Sequence, residues 1–321
     1  MHGLLLTSML ALFLWGYGDA HVEHLSIKTE RLRRTFKRVR FVAYGPTKYN
    51  PLPNQKQPAS RETIRKDLQV LRPYFDGLVT YSCSPGEGLD QVVPVAASLH
   101  YKAVILGIWD ITSEEEVATA IRLTQEYPAL VVALIVGNEG ILFRRYDFST
   151  LKHALARLRA ALPEVALSTS EPISEYGDPD LLDITDFHAP NIHPWFAGEE
   201  RRQNVRAAVD YVKERVKALR SISDEPILVH ETGLPSGPLP YATPECQSQF
   251  WKTLLSELPN TEEQNIVFFE AFDAGEWKNQ TNPSDIPVET HWGAFTNDRE
   301  PKAVVSILPR VQYPDCGNDV E

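Results

Sequence analysis

The 321-residue chain has only three cysteines, too few for a disulfide scaffold, and the spacing of Cys83, Cys246 and Cys316 fits no zinc pattern. It has no excess of positive charge. Lys plus Arg number 32 against 43 Asp plus Glu, a net charge of −11, which argues against a protein that grips nucleic-acid backbones. Neutral or cationic partners fit better. The first expected strand ends in Tyr44-Gly45-Pro46 without the Gly-rich loop that opens a dinucleotide-binding fold. Internal repeats, low-complexity tracts and a linker long enough to separate a pair of domains are also missing. What remains is ordinary globular composition, 43% hydrophobic and 23% charged. Proline, at 24 residues, is above the usual share and suggests many rigid loops.

The N-terminus reads as an export signal. Residues 3–17 are uncharged but fall short of the ~20 residues that a membrane span needs. Gly18-Asp19-Ala20 places small residues at −3 and −1 of a cut after Ala20. A signal peptide over 1–20 therefore implies a secreted or periplasmic protein with no membrane span after its removal. Because His2 is the only basic character before the apolar run, an uncleaved anchor is the alternative. A basic segment follows. Lys28, Arg31, Arg33, Arg34, Lys37, Arg38 and Arg40 against Glu30 give residues 28–40 a charge of +6, leaving −17 for the rest. We expect a solvated lead-in over 21–39, the alternative being a contact with a membrane surface or an anionic polymer.

From residue 40 short apolar runs alternate with amphipathic stretches. Strands are expected at 40–44, 77–82, 102–108, 130–136, 165–169, 186–192, 227–230 and 265–271. Helices are expected at 60–71, 89–99, 113–127, 148–162, 199–221 and 243–258, with short ones near Leu181 and at 301–308. Ser60, Ser113 and Thr243 are the expected N-caps, the last followed by Pro244. Eight strands alternating with helices over 40–310 predict an α/β protein with a single-domain (β/α)8 TIM barrel and a short tail at 311–321.

Catalytic groups of such a barrel come from the C-terminal ends of its strands. Strand four runs from Val131 to Val136 and breaks at Gly137-Asn138-Glu139-Gly140. Strand seven runs from Ile227 to His230 and breaks at Glu231-Thr232-Gly233. Each buried strand thus ends in a Glu beside Gly. Two facing carboxylates suit cleavage of a glycosidic bond, one protonating the leaving oxygen while the other attacks the anomeric carbon. Ala133, Ile135, Gly137 and Glu139 share parity unless a bulge intervenes at the glycines. Four of the six tryptophans, Trp109, Trp195, Trp277 and Trp292, fall in expected top-face loops, where flat rings offer stacking surfaces for sugars.

These residues resemble glycoside hydrolase family 17, the β-1,3-glucanases, in a bacterial-type single-domain form. Val136-Gly137-Asn138-Glu139 matches the acid/base motif. Glu231-Thr232-Gly233-Leu234-Pro235-Ser236 is similar to the nucleophile motif Glu-Thr-Gly-Trp-Pro-Ser. The resemblance continues through Thr80-Tyr81-Ser82, Gly107-Ile108-Trp109, Phe269-Glu270-Ala271-Phe272-Asp273 with Trp277-Lys278, and His291-Trp292-Gly293-Ala294-Phe295. It implies a retaining enzyme acting on β-1,3-glucan, with Glu139 as acid/base and Glu231 as nucleophile. Asn138 would bond the sugar 2-hydroxyl, and Tyr44, Tyr81, Trp109, His193, Trp195, Glu270, Asp273, Trp277, Lys278 and Trp292 would line the site. Glu139 would be protonated at rest because the charge of Glu231 raises its pKa. No metal or cofactor, no nucleic acid and a monomeric state are expected.

Three positions depart from the family: Leu234 for Trp, Val79 for Arg, and a loop over 273–277 one residue longer. Transfer to a second glucan would use the same carboxylates as hydrolysis. A metal-dependent hydrolase built on His188, His193 and His230 and a non-catalytic glucan-binding barrel are the other classes. Against the metal reading, strand one lacks a His-x-His and the parity of His188 opposes that of His193.

Overall fold

A computed structural model describes residues 27–237, 239–281 and 287–311. The expected signal peptide, Cys316 and nearly all of the tail lie outside the described residues. Strands β1 (Phe41–Tyr44), β2 (Gly77–Thr80), β3 (Ala103–Ile108), β4 (Val131–Asn138) and β5 (Ala166–Ser170) pair in parallel in sequence order, and β6 (Ile227–Val229) pairs in parallel with β7 (Gln264–Ile266). Single hydrogen bonds complete the ring. Asp186 N donates to Leu167 O (2.8 Å) and Leu228 N to His188 O (2.8 Å), so the 186–192 segment joins β5 to β6. Phe268 N donates to Phe41 O (3.0 Å) and Ala43 N to Phe268 O (2.9 Å), which ties the continuation of β7 to β1. The strands form the expected (β/α)8 barrel. Burial on both faces explains why β3 and β4 read as nearly unbroken apolar runs.

Segment 186–192 does not make the continuous strand expected. Pro190 has no N–H, and Ala189 N donates to the Tyr176 hydroxyl (3.1 Å), so only the bridges at His188 and Asn191 remain. The expected caps of α2 (Arg61–Leu71), α4 (Glu114–Glu126) and α9 (Pro244–Glu257) are present, with Ser60, Ser113 and Thr243 each accepting from the backbone N–H three residues on. The stretch 89–99 is a 3₁₀ turn followed by α3 (Val92–Ser98), and α5 (Phe148–Ala161) follows β4. The short helix expected near Leu181 is α6 (Pro179–Asp183), and the single helix expected over 199–221 is two, α7 (Glu199–Gln203) and α8 (Val205–Arg220). Asn204 breaks it by turning its side-chain oxygen onto the N–H groups of Arg206 and Ala207. The last expected helix is a 3₁₀ segment, Ala303–Ile307.

The basic segment is not a solvated lead-in. Residues 27–38 are helical (α1) and pack under the barrel against the N-terminal ends of its strands. Positions 28, 32 and 36 fall on one helix face. Leu32 and Phe36 have no exposed surface, and the Phe36 ring lies edge-on to Phe187 at 6.2 Å. Lys28 pairs with Asp186 at 2.8 Å, both side chains 3% exposed. Arg31 donates to the carbonyls of Pro128 and Ala129, Arg33 pairs with Glu263, and Lys37 pairs with Glu262 at 2.8 Å. The cations that suggested an external anionic surface are therefore largely engaged within the chain.

At the opposite end, β4 leaves its ladder in a bulge. Register shifts between Ile135 and Asn138, and Gly137 takes a φ of +81°. A Cβ there would collide with the Tyr146 hydroxyl. The bulge re-aims Glu139, which itself has a φ of +54°.

Two outcomes follow for stability. Phe36→Ala should cost about 3 kcal/mol or more, read from the denaturant midpoint, because it opens a cavity between α1 and the barrel. Gly137→Ala should lower Tm by several degrees in a thermal melt, since a left-handed alanine costs about 1–2 kcal/mol before any clash is counted.

Candidate active site

Glu139 is fixed from both of its neighbouring strands. Its N–H donates to Ser170 O (2.7 Å) at the end of β5. Its Oε1 accepts from Asn191 Nδ2 at 2.9 Å, and the same amide reaches Asn138 Oδ1 at 3.2 Å. Asn191 is oriented in turn, its Oδ1 lying 2.9 Å from Ser170 Oγ and 3.1 Å from His230 Nδ1. Burial pushes His230 down to about 4, so it is neutral here and can donate from Nδ1. The Glu139 carboxyl is held above its ordinary value. Burial is the main cause and the charge of Glu231 comes second, whereas the sequence pointed to that charge alone.

Glu231 follows β6 and is nearly buried. Its Oε2 lies 3.0 Å from His193 Nε2, and its Oε1 is 3.7 Å from His230 Nδ1. Burial pushes this carboxyl up. The hydrogen bond from His193 and the positive charge around it, Lys278 included, outweigh burial and leave it below its ordinary value. The His193 ring is clamped edge-on among Phe269, Trp292 and Phe196, at 5.2, 5.5 and 5.6 Å.

Glu270 and Lys278 form a close pair, with Nζ 3.2 Å from both carboxylate oxygens. Burial pushes Glu270 up to about 7 despite Lys278. Burial alone would lower Lys278, but Glu270, Glu289 and Glu231 hold it above its ordinary value. Tyr81 sits edge-on to His230 at 5.5 Å, and burial, followed by the charges of Glu231, Glu270 and Glu139, raises its phenol well above the usual range. The structure thus brings Glu139, Asn138, Tyr81, His193, Glu231, Glu270, Lys278 and Trp292 to one end of the barrel.

The other expected residues serve different neighbours. The Tyr44 hydroxyl donates to Asp67 (3.0 Å), within a buried cluster that includes Thr47 and Arg299. Asp273 pairs with Lys302 (2.6 Å) and accepts from Gly293 N (2.9 Å). Trp195 is buried against Trp292 and Tyr241, while Trp277 is half-buried edge-on to Tyr49 at 5.8 Å. Trp109 is 44% exposed, with the Arg145 guanidinium 3.9 Å from its ring centroid. His188 bonds Ser223 (2.6 Å) near the start of β6, away from His193, so the three imidazoles of the metal-centre alternative do not converge. Cys83 and Cys246 are both free.

Asn191, Glu171 and Glu289 belong to the site without being expected from the sequence. Glu171 accepts from the N–H groups of Ile141 and Leu142, just beyond Glu139. Glu289 adds negative charge at Glu139, Glu270 and Lys278. The signal for the first two is the same strand-end rule that finds Glu139, applied to Ser170-Glu171 and to Asn191.

A glucan 1,3-β-glucosidase of Arthroderma benhamiae is 24% identical over 260 residues, 74% of this chain and 82% of that protein. A probable glucan endo-1,3-β-glucosidase btgC of Aspergillus flavus is 24% identical over 295 residues, 82% of this chain but 41% of its own length. The chain thus spans less than half of that longer relative. The fold is similar to that of an endo-laminarinase from Formosa Hel1_33_131, with a TM-score of 0.68 at 19% identity, covering 86% of this chain and 90% of that one. It is also similar to a glycoside hydrolase family 17 β-1,3-glucanosyltransferase from Rhizomucor miehei, with a TM-score of 0.63 at 18% identity, covering 85% and 98%. The model of the BtgE/BtgC glycoside hydrolase domain matches residues 46–293. With two carboxyls at the mouth of a (β/α)8 barrel and a match over most of its length, the chain belongs to the BtgE/BtgC glycoside hydrolase family.

Proposed function

We propose that the chain is a retaining β-1,3-glucan hydrolase of the family 17 type, with Glu139 as acid/base and Glu231 as nucleophile. The observation that carries the reading is the opposed environments of the two carboxyls: Glu139 is held up and Glu231 down. A pair pushed apart in this way suits one proton donor and one anionic nucleophile. Glu231 attacks the anomeric carbon as Glu139 protonates the departing oxygen, forming a glycosyl-enzyme. Glu139 then takes a proton from water, which releases the sugar with its configuration retained.

The names of the relatives support β-1,3-glucan as substrate. Tyr81 and His193 are half-buried beside Glu231, which fits them to line the sugar subsite at the nucleophile. Exposed Trp109, backed by Arg145, suits stacking on a sugar face. An uncharged run with small residues before a cut after Ala20 supports export by residues 1–20 and action outside the cytoplasm. A second reading, glucanosyl transfer, is supported by the likeness to the Rhizomucor miehei enzyme and needs only an acceptor hydroxyl in place of water.

Two measurements test this. The profile of kcat/KM against pH should be a bell whose acid limb, from Glu231, lies below the ordinary Glu value and whose alkaline limb, from Glu139, lies above it. Glu139→Gln should lower kcat/KM on glucan by ~10²–10⁴ and remove the alkaline limb; an unchanged limb would assign it to another group, such as Glu270. Chromatography of linear β-1,3-oligosaccharides over time should give only shorter products for a hydrolase. Products longer than the substrate would instead identify a transferase.

A further inference from the structure

We propose that Glu171 is a positioning residue for proton donation by Glu139: it grips the turn that carries the acid/base and holds that carboxyl in line with the leaving oxygen. The proposal rests on the assignment of Glu139 above.

Glu171 immediately follows β5 and has no exposed surface. Its Oε1 accepts from Ile141 N at 3.1 Å and its Oε2 from Leu142 N at 3.5 Å. These amides belong to the second and third residues after Glu139. The residue before it, Ser170, accepts the Glu139 N–H through its carbonyl at 2.7 Å. The dipeptide Ser170-Glu171 therefore holds the turn on both sides of the Glu139 side chain. It also holds the side chain's own partner. Asn191 N donates to Glu171 O (2.9 Å), and Ser170 Oγ lies 2.9 Å from Asn191 Oδ1, while Asn191 Nδ2 donates to Glu139.

The turn needs such support. Glu139 has a φ of +54°, a left-handed conformation that in a residue with a Cβ persists only where surrounding contacts enforce it. A buried carboxylate is a costly way to satisfy two backbone amides, since a neutral acceptor would do so with less desolvation. A carboxylate, however, offers two acceptor oxygens and so engages both amides with one side chain. The ionisable groups around Glu171 are Glu139, Glu175, Tyr146 and Tyr176. Burial pushes the Glu171 carboxyl up to about 7, so its grip on the two amides is strongest above neutrality.

A residue that acts through the acid/base matters in proportion to how much the leaving group needs a proton. The test compares kcat/KM of the whole chain on a linear β-1,3-oligosaccharide and on a 2,4-dinitrophenyl β-laminaribioside, whose phenolate departs without protonation. Glu171→Gln is expected to lower the first by about tenfold or more and to leave the second within about threefold, a fraction of the full general-acid contribution. An equal fall on both substrates would make Glu171 a merely structural residue and overturn the proposal, as would no fall on either. If Glu171→Gln does not fold, Glu171→Asp, which keeps the charge but draws it back from the amides, is read by the same criterion. Glu139→Gln run in parallel separates the two ideas. If it lowers both substrates alike, the acid/base assignment fails; if it spares the aryl substrate and Glu171→Gln does not, only the positioning role fails.

Discussion

Two carboxyls at one barrel mouth, Glu231 buried and Glu139 half-buried, repel each other and are largely withdrawn from the water that would solvate their charge. The remaining architecture of the site can be understood as the way this repulsion is divided. Glu231 receives the hydrogen bond of His193 and the nearby charge of Lys278. Glu139 receives a neutral amide from Asn191, which holds it in place without offering a counter-charge. The surrounding groups follow from the same division. Glu270 keeps Lys278 charged and in place, and three aromatic rings prevent the His193 imidazole from turning away. Losing the His193 hydrogen bond or the Lys278 charge would raise Glu231 and narrow the difference between the two carboxyls.

The barrel supplies the geometry for this division by different means on its two sides. Glu231 simply follows its strand. Glu139 depends on a bulge, a left-handed glycine and a left-handed glutamate, and so on contacts from β5 and the 186–192 segment. Tyr146, packed over Gly137 and Gly140, leaves no room for a side chain at either position. The two glycines that flank the Asn138-Glu139 pair are thus required by packing, not only by the flexibility of a strand end.

Much of this was legible in the sequence because parallel strands buried on both faces read as apolar runs, and a Glu that ends such a run stands out. Asn191 did not stand out because Pro190 interrupts its segment and weakens the strand signal. Glu171 follows Ser168-Thr169-Ser170, which resembles a loop more than the end of a buried strand, and Glu289 lies beyond the last strand, where the pattern offers no register. The break at Asn204 was hidden by helix formers on both sides. The basic segment misled for a different reason: its charges dominate its composition, while the pair that decides its position, Leu32 and Phe36, is only two residues in the run.

That helix has a further consequence, for the order in which the protein can be assembled. Among the described residues α1 leaves the ribosome first, yet its last partners come late: Asn265 donates to the Phe36 carbonyl across 229 positions and Lys37 pairs with Glu262 across 225. Such contacts close very long loops, which slows folding and leaves apolar surface uncovered in the interval. The first-made element therefore reaches its final seat only when residues 262–265 have emerged, long after its contacts with Pro128, Asp186 and Phe187 can form.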